Sequence, residues 1–269
     1  NSSPIVSHRH RRRKTMGPKR KAGGGVKERA APKRQRATAE PAELPPVASL
    51  KGKSPVGLST ADVWSNKEYV EGGVMKQTGF AKLCEALELE EMSFEAVYLM
   101  FTLSPTIEDV MVVCTSKAAF QRGLEGIGCK NPAELAPKLR LKRTALQADF
   151  GPRFRPFFVW LFEMGRQITA LNTGACPTVV RSVPLAEGLQ LLDSVLSPWP
   201  LMLKLKEFCE TVFMQPFSKD LWMQIARFVE MTTSGQIHSD LSNYDDDESG
   251  GGSAWPCMID DFVDFVQKA

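Results

Sequence analysis

Apolar residues repeat with a helical period along most of the chain after position 66. They recur at intervals of three and four between Phe80 and Leu87, and again between Ile259 and Val266. Such intervals place side chains on one face of an α-helix. Strand-like alternation is nearly absent, and Val110–Cys114 is the one β-branched run. The sequence therefore predicts an all-α domain of roughly 200 residues.

Short polar residues and prolines mark where these helices begin. Ser93 and Ser218 are predicted N-caps, and Thr115-Ser116 precedes another helix. Asn131-Pro132 combines a cap residue with a proline in the first turn. The glycines at 126 and 128 predict a helix end. Short helix–loop–helix units with one brief strand pairing are typical of the EF-hand plan, so we predict EF-hand-like units that lack calcium ligands.

Charge is distributed very unevenly along the chain. Residues 1–53 hold 15 lysines and arginines against three glutamates, a formal charge of +12; since the whole chain of 269 residues carries +3, the remainder carries −9. A segment so rich in charge, glycine and proline buries too little apolar surface to offset the entropy of ordering it. We predict a disordered basic tail over residues 1–60 and one helical domain over residues 61–269.

Two basic clusters in this tail are spaced like a nuclear-targeting signal. One follows Pro18, the other follows Pro32, and a short spacer separates them. Paired clusters fit an importin-type groove, although a solvated charge run or a nonspecific nucleic-acid contact would have the same composition. The predicted targeting residues are Lys19, Arg20, Lys21, Lys33, Arg34 and Arg36. We expect the protein in the nucleus, with the cytoplasm as a second location.

Several classes of protein are disfavoured by what the sequence lacks. No apolar run approaches the ~18 residues of a membrane-spanning helix, so we expect no membrane partner. The basic N-terminal residues have no apolar stretch behind them, unlike a secretory signal. The six cysteines are scattered without a CxxC pair, which favours reduced thiols over a disulfide framework or a zinc ribbon.

Residues that could carry chemistry are few. The acidic stretch from Asp245 matches the first positions of an EF-hand calcium loop, but Pro256 stands where the bidentate glutamate is required. His238 is the one histidine outside the tail, and neither a GxSxG motif nor a cysteine box accompanies it. No GxGxxG or Walker-type loop occurs. We therefore predict no catalytic residue, no cofactor and no metal site.

The C-terminal region resembles the signature of the defective-in-cullin-neddylation family. The matching runs are Asp240–Asp245 (DLSNYD) and Ala254–Val263 (AWPCMIDDFV). Upstream, Phe217–Trp222 (FSKDLW) resembles the Lys-Asp-x-Trp element of the same domain, which is called the potentiating-neddylation or DCUN domain. The resemblance covers roughly Gly79 to Lys268, with weaker matches in the N-terminal half. The basic N-terminus without a ubiquitin-binding module is similar to the nuclear members of the family.

The resemblance implies a non-catalytic co-ligase. Such a protein binds the winged-helix domain of a cullin, together with the cullin's RING subunit and the conjugating enzyme of a ubiquitin-like modifier, and promotes cullin neddylation. Holding donor and acceptor together raises their effective concentration without any reactive group from the scaffold. The alternative is a nuclear nucleic-acid-binding protein that acts through its basic tail, which the acidic remainder of the chain argues against.

The resemblance assigns a cullin-binding patch to Asp220, Ala254 and Asp260. The two carboxylates would face a basic winged-helix surface, and the small Ala254 would allow close approach. From the residues alone, Asp220 is also explained as a favourable charge in the first turn of a helix. Residues 248–253 look like a glycine-rich insertion beside this patch, and a neutral surface loop is favoured there over a gate on cullin access.

The resemblance also implies an apolar pocket for the acetylated N-terminal methionine of the conjugating enzyme. Acetylation matters because it removes a terminal charge that would be costly to bury. The lining falls near Phe80, Ala96, Leu99, Val112, Val113 and Met164. Taken singly, each of these residues is better explained as plain core. Ala96 and Met164 differ from the usual family residues, which leaves the pocket shape open.

Overall fold

The computed structural model describes residues 58–244 and 257–268. Ten α-helices lie within these ranges: α1 (Thr60–Ser65), α2 (Gln77–Ala86), α3 (Phe94–Leu103), α4 (Lys117–Ile127), α5 (Leu135–Gln147), α6 (Arg155–Thr173), α7 (Leu185–Leu196), α8 (Met202–Phe208), α9 (Lys219–Thr233) and α10 (Cys257–Lys268). None of them combines the length and the apolar composition that crossing a membrane requires. The predicted all-α class is confirmed.

Four very short strands pair into two antiparallel ladders in the described part of the chain. β1 (Met75–Lys76) pairs with β2 (Val112–Cys114), and β3 (Ser182–Val183) pairs with β4 (Phe217–Ser218). The sequence predicted one brief strand pairing, and the structure has two, because strands of two or three residues are too short to show a period of two. Each strand leads into a helix, so each ladder joins two helix–strand–helix units. Finer similarity to an EF-hand stays a prediction.

Serine caps begin three of the helices where the sequence predicted them. The side chains of Ser93, Ser116 and Ser218 each accept a hydrogen bond from the backbone N–H three residues later. Helix α4 ends at Gly128, which adopts the left-handed conformation with φ +88°. Asn131 differs from its prediction: its side-chain amide donates to Glu134, and a 3₁₀ turn precedes α5.

Helix α3 lies between two apolar cores. Its Ala96 and Leu99 belong to an N-terminal core that includes residues of α2, α4 and α5. Its Phe94 and Val97 belong to a C-terminal core that includes residues of α6 to α10. Because one helix supplies side chains to both cores, α3 fixes the two halves of this helical domain to each other.

Helix α6 is the centre of the C-terminal core. Its aromatic-rich face of Phe154, Phe157, Phe158 and Leu161 is at most 1% exposed. The indole ring of Trp222 stacks on Phe158 with centroids 5.0 Å apart, and its N–H donates to the Phe158 carbonyl at 2.9 Å. A buried, hydrogen-bonded tryptophan of this kind fixes α9 against α6.

Candidate binding surfaces

An open apolar pocket of about 500 Å³ lies between α2, α3 and α6. On each helix two of its wall residues are four positions apart, so one stripe of each helix faces the opening. These residues are Phe80 and Cys84 on α2, Ala96 and Met100 on α3, and Met164 and Ile168 on α6. Leu89 and Met92, from the turn between α2 and α3, close one side. We call this site the apolar pocket.

Three of the six predicted lining residues lie together in this pocket. Phe80, Ala96 and Met164 come from three different helices, separated by up to 84 positions in the chain. Three further members of the wall sit one helical turn from them, at positions 84, 100 and 168. The stripe was therefore present in the sequence as a spacing of four, although nothing distinguished it there from ordinary core.

The remaining three predicted residues are not part of this wall. Leu99 is fully buried in the N-terminal core, one turn of α3 beyond Ala96. Val112 and Val113 line a separate groove beside the end of α3. They also meet Met164 across a narrow gap behind the pocket. Strand β2 thus supports the pocket from the rear.

The pocket wall is chemically inert. Burial, together with the nearby charge of Glu91, raises the pKa of the Cys84 thiol to about 12. A thiol with that pKa remains protonated near neutral pH and is a poor nucleophile. The wall therefore offers apolar surface to a ligand.

Asp220 lies on an exposed helix start. It occupies the first turn of α9, two residues after the Ser218 cap, and its side chain faces solvent. The preceding residue, Lys219, reaches Glu163 of α6 at 2.9 Å. This ion pair fixes the first turn of α9 and neutralises the cation that stands beside Asp220.

Glu163 receives two cations and was not predicted from the sequence. Besides Lys219, the guanidinium of Arg166 lies 2.9 Å from its carboxylate. Burial raises the pKa of Glu163, but the hydrogen bonds and charges of Lys219 and Arg166 outweigh burial, so the pKa is lowered overall. Its partner Lys219 is 56 positions away in the chain, so no local pattern in the sequence reveals it.

Asp260 stands in the first turn of α10 and is half-buried. Its carboxylate accepts a hydrogen bond from the hydroxyl of Tyr244, whose ring packs edge-on against Phe228 of α9. The side chain of Gln267 also donates to the Leu241 carbonyl at 3.1 Å, which ties α10 to the segment before Tyr244. Tyr244 thus fixes the direction in which Asp260 presents its charge. We call Asp220 and Asp260 the acidic corner.

The two carboxylates of the acidic corner belong to separate helices. Tyr244, which donates to Asp260, packs on Phe228, and Phe228 is eight residues after Asp220, about 12 Å further along the axis of α9 at 1.5 Å per residue. A partner would therefore cover a surface and could not chelate both groups with one side chain. Ala254, the third predicted member, lies outside the described residues.

His238 lies in a polar turn whose geometry does not match a nucleophilic triad. Its Nδ1 is 3.3 Å from the Ser242 hydroxyl, but that hydroxyl donates to Asp240 at 2.8 Å. In a catalytic triad the carboxylate accepts a hydrogen bond from the histidine, and the histidine accepts one from the serine hydroxyl. Here the bonds from Ser242 lower the pKa of Asp240 and stabilise the turn.

The remaining predictions concern the cysteines, the metal ligands and the charged or glycine-rich segments. The six cysteines are unpaired, four of them buried and two exposed. In the described ranges, no group of three or more potential metal ligands comes together. The basic clusters at 19–21 and 33–36, the acidic stretch after Asp245 and the glycine-rich segment 248–253 lie outside those ranges.

A helical body that offers an open apolar pocket and a separate pair of carboxylates is built as a protein-binding module. Residues 135–265 match the family model described as cullin binding. This match begins with α5 and includes both members of the acidic corner.

Similar proteins extend the match toward the N-terminus. The chain is 26% identical to DCN1-like protein 2 of Dictyostelium discoideum over 71% of its own length and 62% of that protein, so it spans less than two thirds of this relative. It is 24% identical to DCN1-like protein 5 of Rattus norvegicus over 92% of its own length and 95% of that protein. For the human DCN1-like protein 5 the identity is 23%, over 82% and 83%. The chain belongs to the defective-in-cullin-neddylation family, which supports a role in cullin neddylation.

Proposed function

We propose that this chain is a non-catalytic scaffold that promotes the transfer of a ubiquitin-like modifier to a cullin. The acidic corner binds the winged-helix domain of the cullin, whose RING subunit accompanies it. The apolar pocket binds the acetylated N-terminal methionine of the conjugating enzyme. The chain contributes position and no reactive group, so the gain comes from the effective concentration of the two partners.

The observation that carries this proposal is the construction of α6. Adjacent residues of this helix serve both sites: Met164 forms part of the pocket wall, and Glu163 fixes the first turn of α9, where Asp220 lies. The aromatic face of the same helix is fully packed in the core. Such a rigid connection holds two bound partners at a constant separation, which is what a proximity scaffold requires.

The pocket suits an acetylated terminus because its wall is mainly apolar. A free terminal ammonium would have to lose its water there without finding a buried partner, whereas an acetylated methionine carries no charge. Methionines at 100 and 164 add unbranched, adaptable side chains to the wall.

The test is a reconstituted modification reaction that contains the cullin, its RING subunit, the conjugating enzyme loaded with the modifier, and this chain. We expect the initial rate of cullin modification to rise when the chain is added, and the increase to depend on acetylation of the conjugating enzyme. An unchanged rate would refute the scaffold. An increase that is equal with unacetylated enzyme would leave the scaffold but refute the assignment of the pocket.

We also propose that the chain enters the nucleus through its two basic clusters. The spacing of the clusters supports this localisation. A fluorescent fusion in which all six cluster residues are alanine should move to the cytoplasm, and a nuclear signal equal to that of the parent would refute the assignment. The cluster residues are Lys19, Arg20, Lys21, Lys33, Arg34 and Arg36.

A further inference from the structure

We infer that the partner facing the acidic corner extends along α9 into a second groove, where it presents an apolar side chain and a carboxylate. This inference rests on the proposed function and specifies the surface chemistry of the cullin that this chain selects. It is carried by the α9 groove, whose lining belongs neither to the apolar pocket nor to the acidic corner. We define the α9 groove by Met223, Gln224, Arg227, Glu230 and Met231 on α9, with Arg155 on α6.

The α9 groove is an open cleft of about 600 Å³ between an exposed face of α9 and the start of α6. Its α9 side chains are half-buried, and Arg155, the first residue of α6, is exposed. The stacking of Trp222 on Phe158 fixes the two helices against each other. The groove is therefore a preformed surface, which lowers the entropic cost of binding.

The spacing of the groove residues places them on the same face of α9 as Asp220. Met223 and Gln224 follow Asp220 by three and four positions, Arg227 by seven and Met231 by eleven. At 1.5 Å per residue, the groove runs from about 5 Å to about 17 Å beyond Asp220 along the helix axis. A small domain is about 25 Å across, so a folded partner that contacts Asp220 can also cover the groove.

The sign of the charge changes along this face. Asp220 is a carboxylate, whereas the groove lining holds the guanidiniums of Arg155 and Arg227 against the single carboxylate of Glu230. Arg155 donates to Glu230 at 2.7 Å, its one side-chain hydrogen bond in the described part of the chain. A guanidinium has five N–H donors, and the Arg155 side chain is 50% exposed. Arg155 can therefore bond a partner's carboxylate without releasing Glu230.

Two methionines give the groove an apolar part. Met223 and Met231 are eight positions apart, one on each side of Arg227, and Met231 packs against the C-terminal core. Methionine side chains are unbranched and polarisable, so they adapt to apolar groups of different shape. An apolar side chain of the partner can lie against them while a neighbouring carboxylate meets a guanidinium.

This combination fits a folded protein better than a nucleic acid. A phosphate backbone requires cations alone, and the carboxylates of Asp220 and Glu230 on the same side of α9 would repel it. Alternating charges around apolar contacts fix the register of a protein interface and disfavour wrong partners. A winged-helix surface that is basic throughout would be repelled at Arg227. The groove thus selects a cullin that carries a carboxylate about 10 Å from the cation facing Asp220.

The experiment titrates the full chain with the cullin bound to its RING subunit, in a calorimeter at about 50 mM and about 300 mM salt. Arg227→Glu should weaken cullin binding by about tenfold at low salt and by less at high salt. General attraction between a more acidic chain and a basic cullin would act in the opposite direction. Arg153→Glu, on a side chain that is 73% exposed and outside the groove lining, is the matched control and should leave binding unchanged.

Two further variants test the groove without reversing a charge. Glu230→Gln removes the carboxylate that competes for Arg155, so cullin binding should strengthen by about two- to threefold. A purely structural role of this ion pair predicts no such gain. Met223→Ala removes apolar contact surface and should weaken binding by about threefold. Thermal unfolding of each variant checks that the fold is retained, and if Arg227→Glu melts early, these two variants decide.

The outcomes are distinct. A parent chain that does not bind the cullin would refute the acidic corner of the proposed function, and this inference with it. A parent that binds, together with folded Arg227→Glu and Met223→Ala variants that bind equally well, would overturn the α9 groove and leave the acidic corner as the binding site. Tighter binding by Arg227→Glu would also overturn the inference, because the partner would then be basic at this position.

Discussion

The walls of the apolar pocket are side chains that the two cores already hold in place, whereas the acidic corner consists of carboxylates on the first turns of two helices. Phe80, Ala96 and Met164 are at most 5% exposed and come from three packed helices. Asp220 is exposed and Asp260 is half-buried, and the Tyr244 hydroxyl donates a hydrogen bond to Asp260. The shape of the apolar pocket is set by buried side chains and therefore tolerates substitutions on the surface. The charge of the acidic corner, in contrast, depends on single residues at helix starts.

This difference predicts separate responses of the two sites. The pocket should lose its ligand when its volume changes, and the acidic corner should lose its partner when its charge changes. A change at one site should leave the other intact, since additivity is expected for positions without shared contacts.

The largest expected effect is a charge reversal in the acidic corner. Asp260→Lys places a cation against a basic winged-helix surface, and we expect cullin binding to weaken by about 100-fold or more in calorimetry. The acetylated peptide should bind as before. Asp264→Lys, one turn further along α10, is the matched control with the same change of charge. An equal loss of cullin binding in both variants would show that binding depends on the net charge of the chain and not on the position of Asp260.

A large residue in the pocket should have the next largest effect. Ala96→Trp fills the space between α2, α3 and α6, and we expect binding of the acetylated peptide to weaken by about 30-fold with cullin binding retained. Ala119→Trp fills the separate groove beside the end of α3 and serves as the control. If Ala96→Trp melts early, Ile168→Asp tests the same wall with a charge. Full peptide binding in either folded variant would contradict the assignment of the pocket.

A smaller effect is expected when Asp260 loses its orienting hydroxyl. Tyr244→Phe keeps the ring on Phe228 but removes the hydrogen bond to Asp260, which should weaken cullin binding by about three- to tenfold. Tyr69→Phe removes a hydroxyl elsewhere in the domain and should change nothing. Unaltered cullin binding in Tyr244→Phe would show that Asp260 is oriented by α10 alone.

The smallest effect is expected at Glu163. Glu163→Gln weakens the anchor of α9 and should reduce cullin binding by about two- to threefold. Because the pKa of Glu163 is lowered in the folded chain, its ionised form contributes stability above its usual pKa of 4.5, and this is lost as the pH falls through the lowered pKa.

Urea unfolding of parent and Glu163→Gln between about pH 7 and pH 3 measures that contribution. The difference in unfolding free energy should be present at neutral pH and shrink below the usual pKa. A difference that is constant with pH would show that the ion pairs of Glu163 do not stabilise the fold.

Those elements of the fold that depend on local chemistry could be predicted from the sequence. Ser93, Ser116 and Ser218 cap their helices because each side chain satisfies a backbone donor three residues away. Gly128 ends α4 because its backbone must adopt a left-handed conformation. The ladder of β3 and β4 was missed, since its pairing joins residues far apart in the chain and each strand contains only two residues.

The candidate site was predictable only where a family motif covers it. Asp260 was identified through the C-terminal signature and Asp220 through the Lys-Asp-x-Trp element upstream of it, whereas looser resemblance gave three of the six predicted pocket residues correctly. Leu99 and Ala96 lie one turn apart on α3 and belong to the same core, but of the two Ala96 alone lines the pocket, and the spacing in the sequence does not reveal which one does. Glu163 could not be inferred, since its role depends on a contact with Lys219 that only the folded chain creates.

The most direct test of the central claim is the dependence of cullin modification on the concentration of this chain. A scaffold that holds two partners at once gives a rate that rises, reaches a maximum and falls when the chain exceeds both partners, because separate binary complexes then replace the ternary complex. We predict this bell-shaped curve, and we predict that Ala96→Trp and Asp260→Lys each abolish the rise. A rate that climbs to a plateau and stays there with both partners limiting would contradict the scaffold.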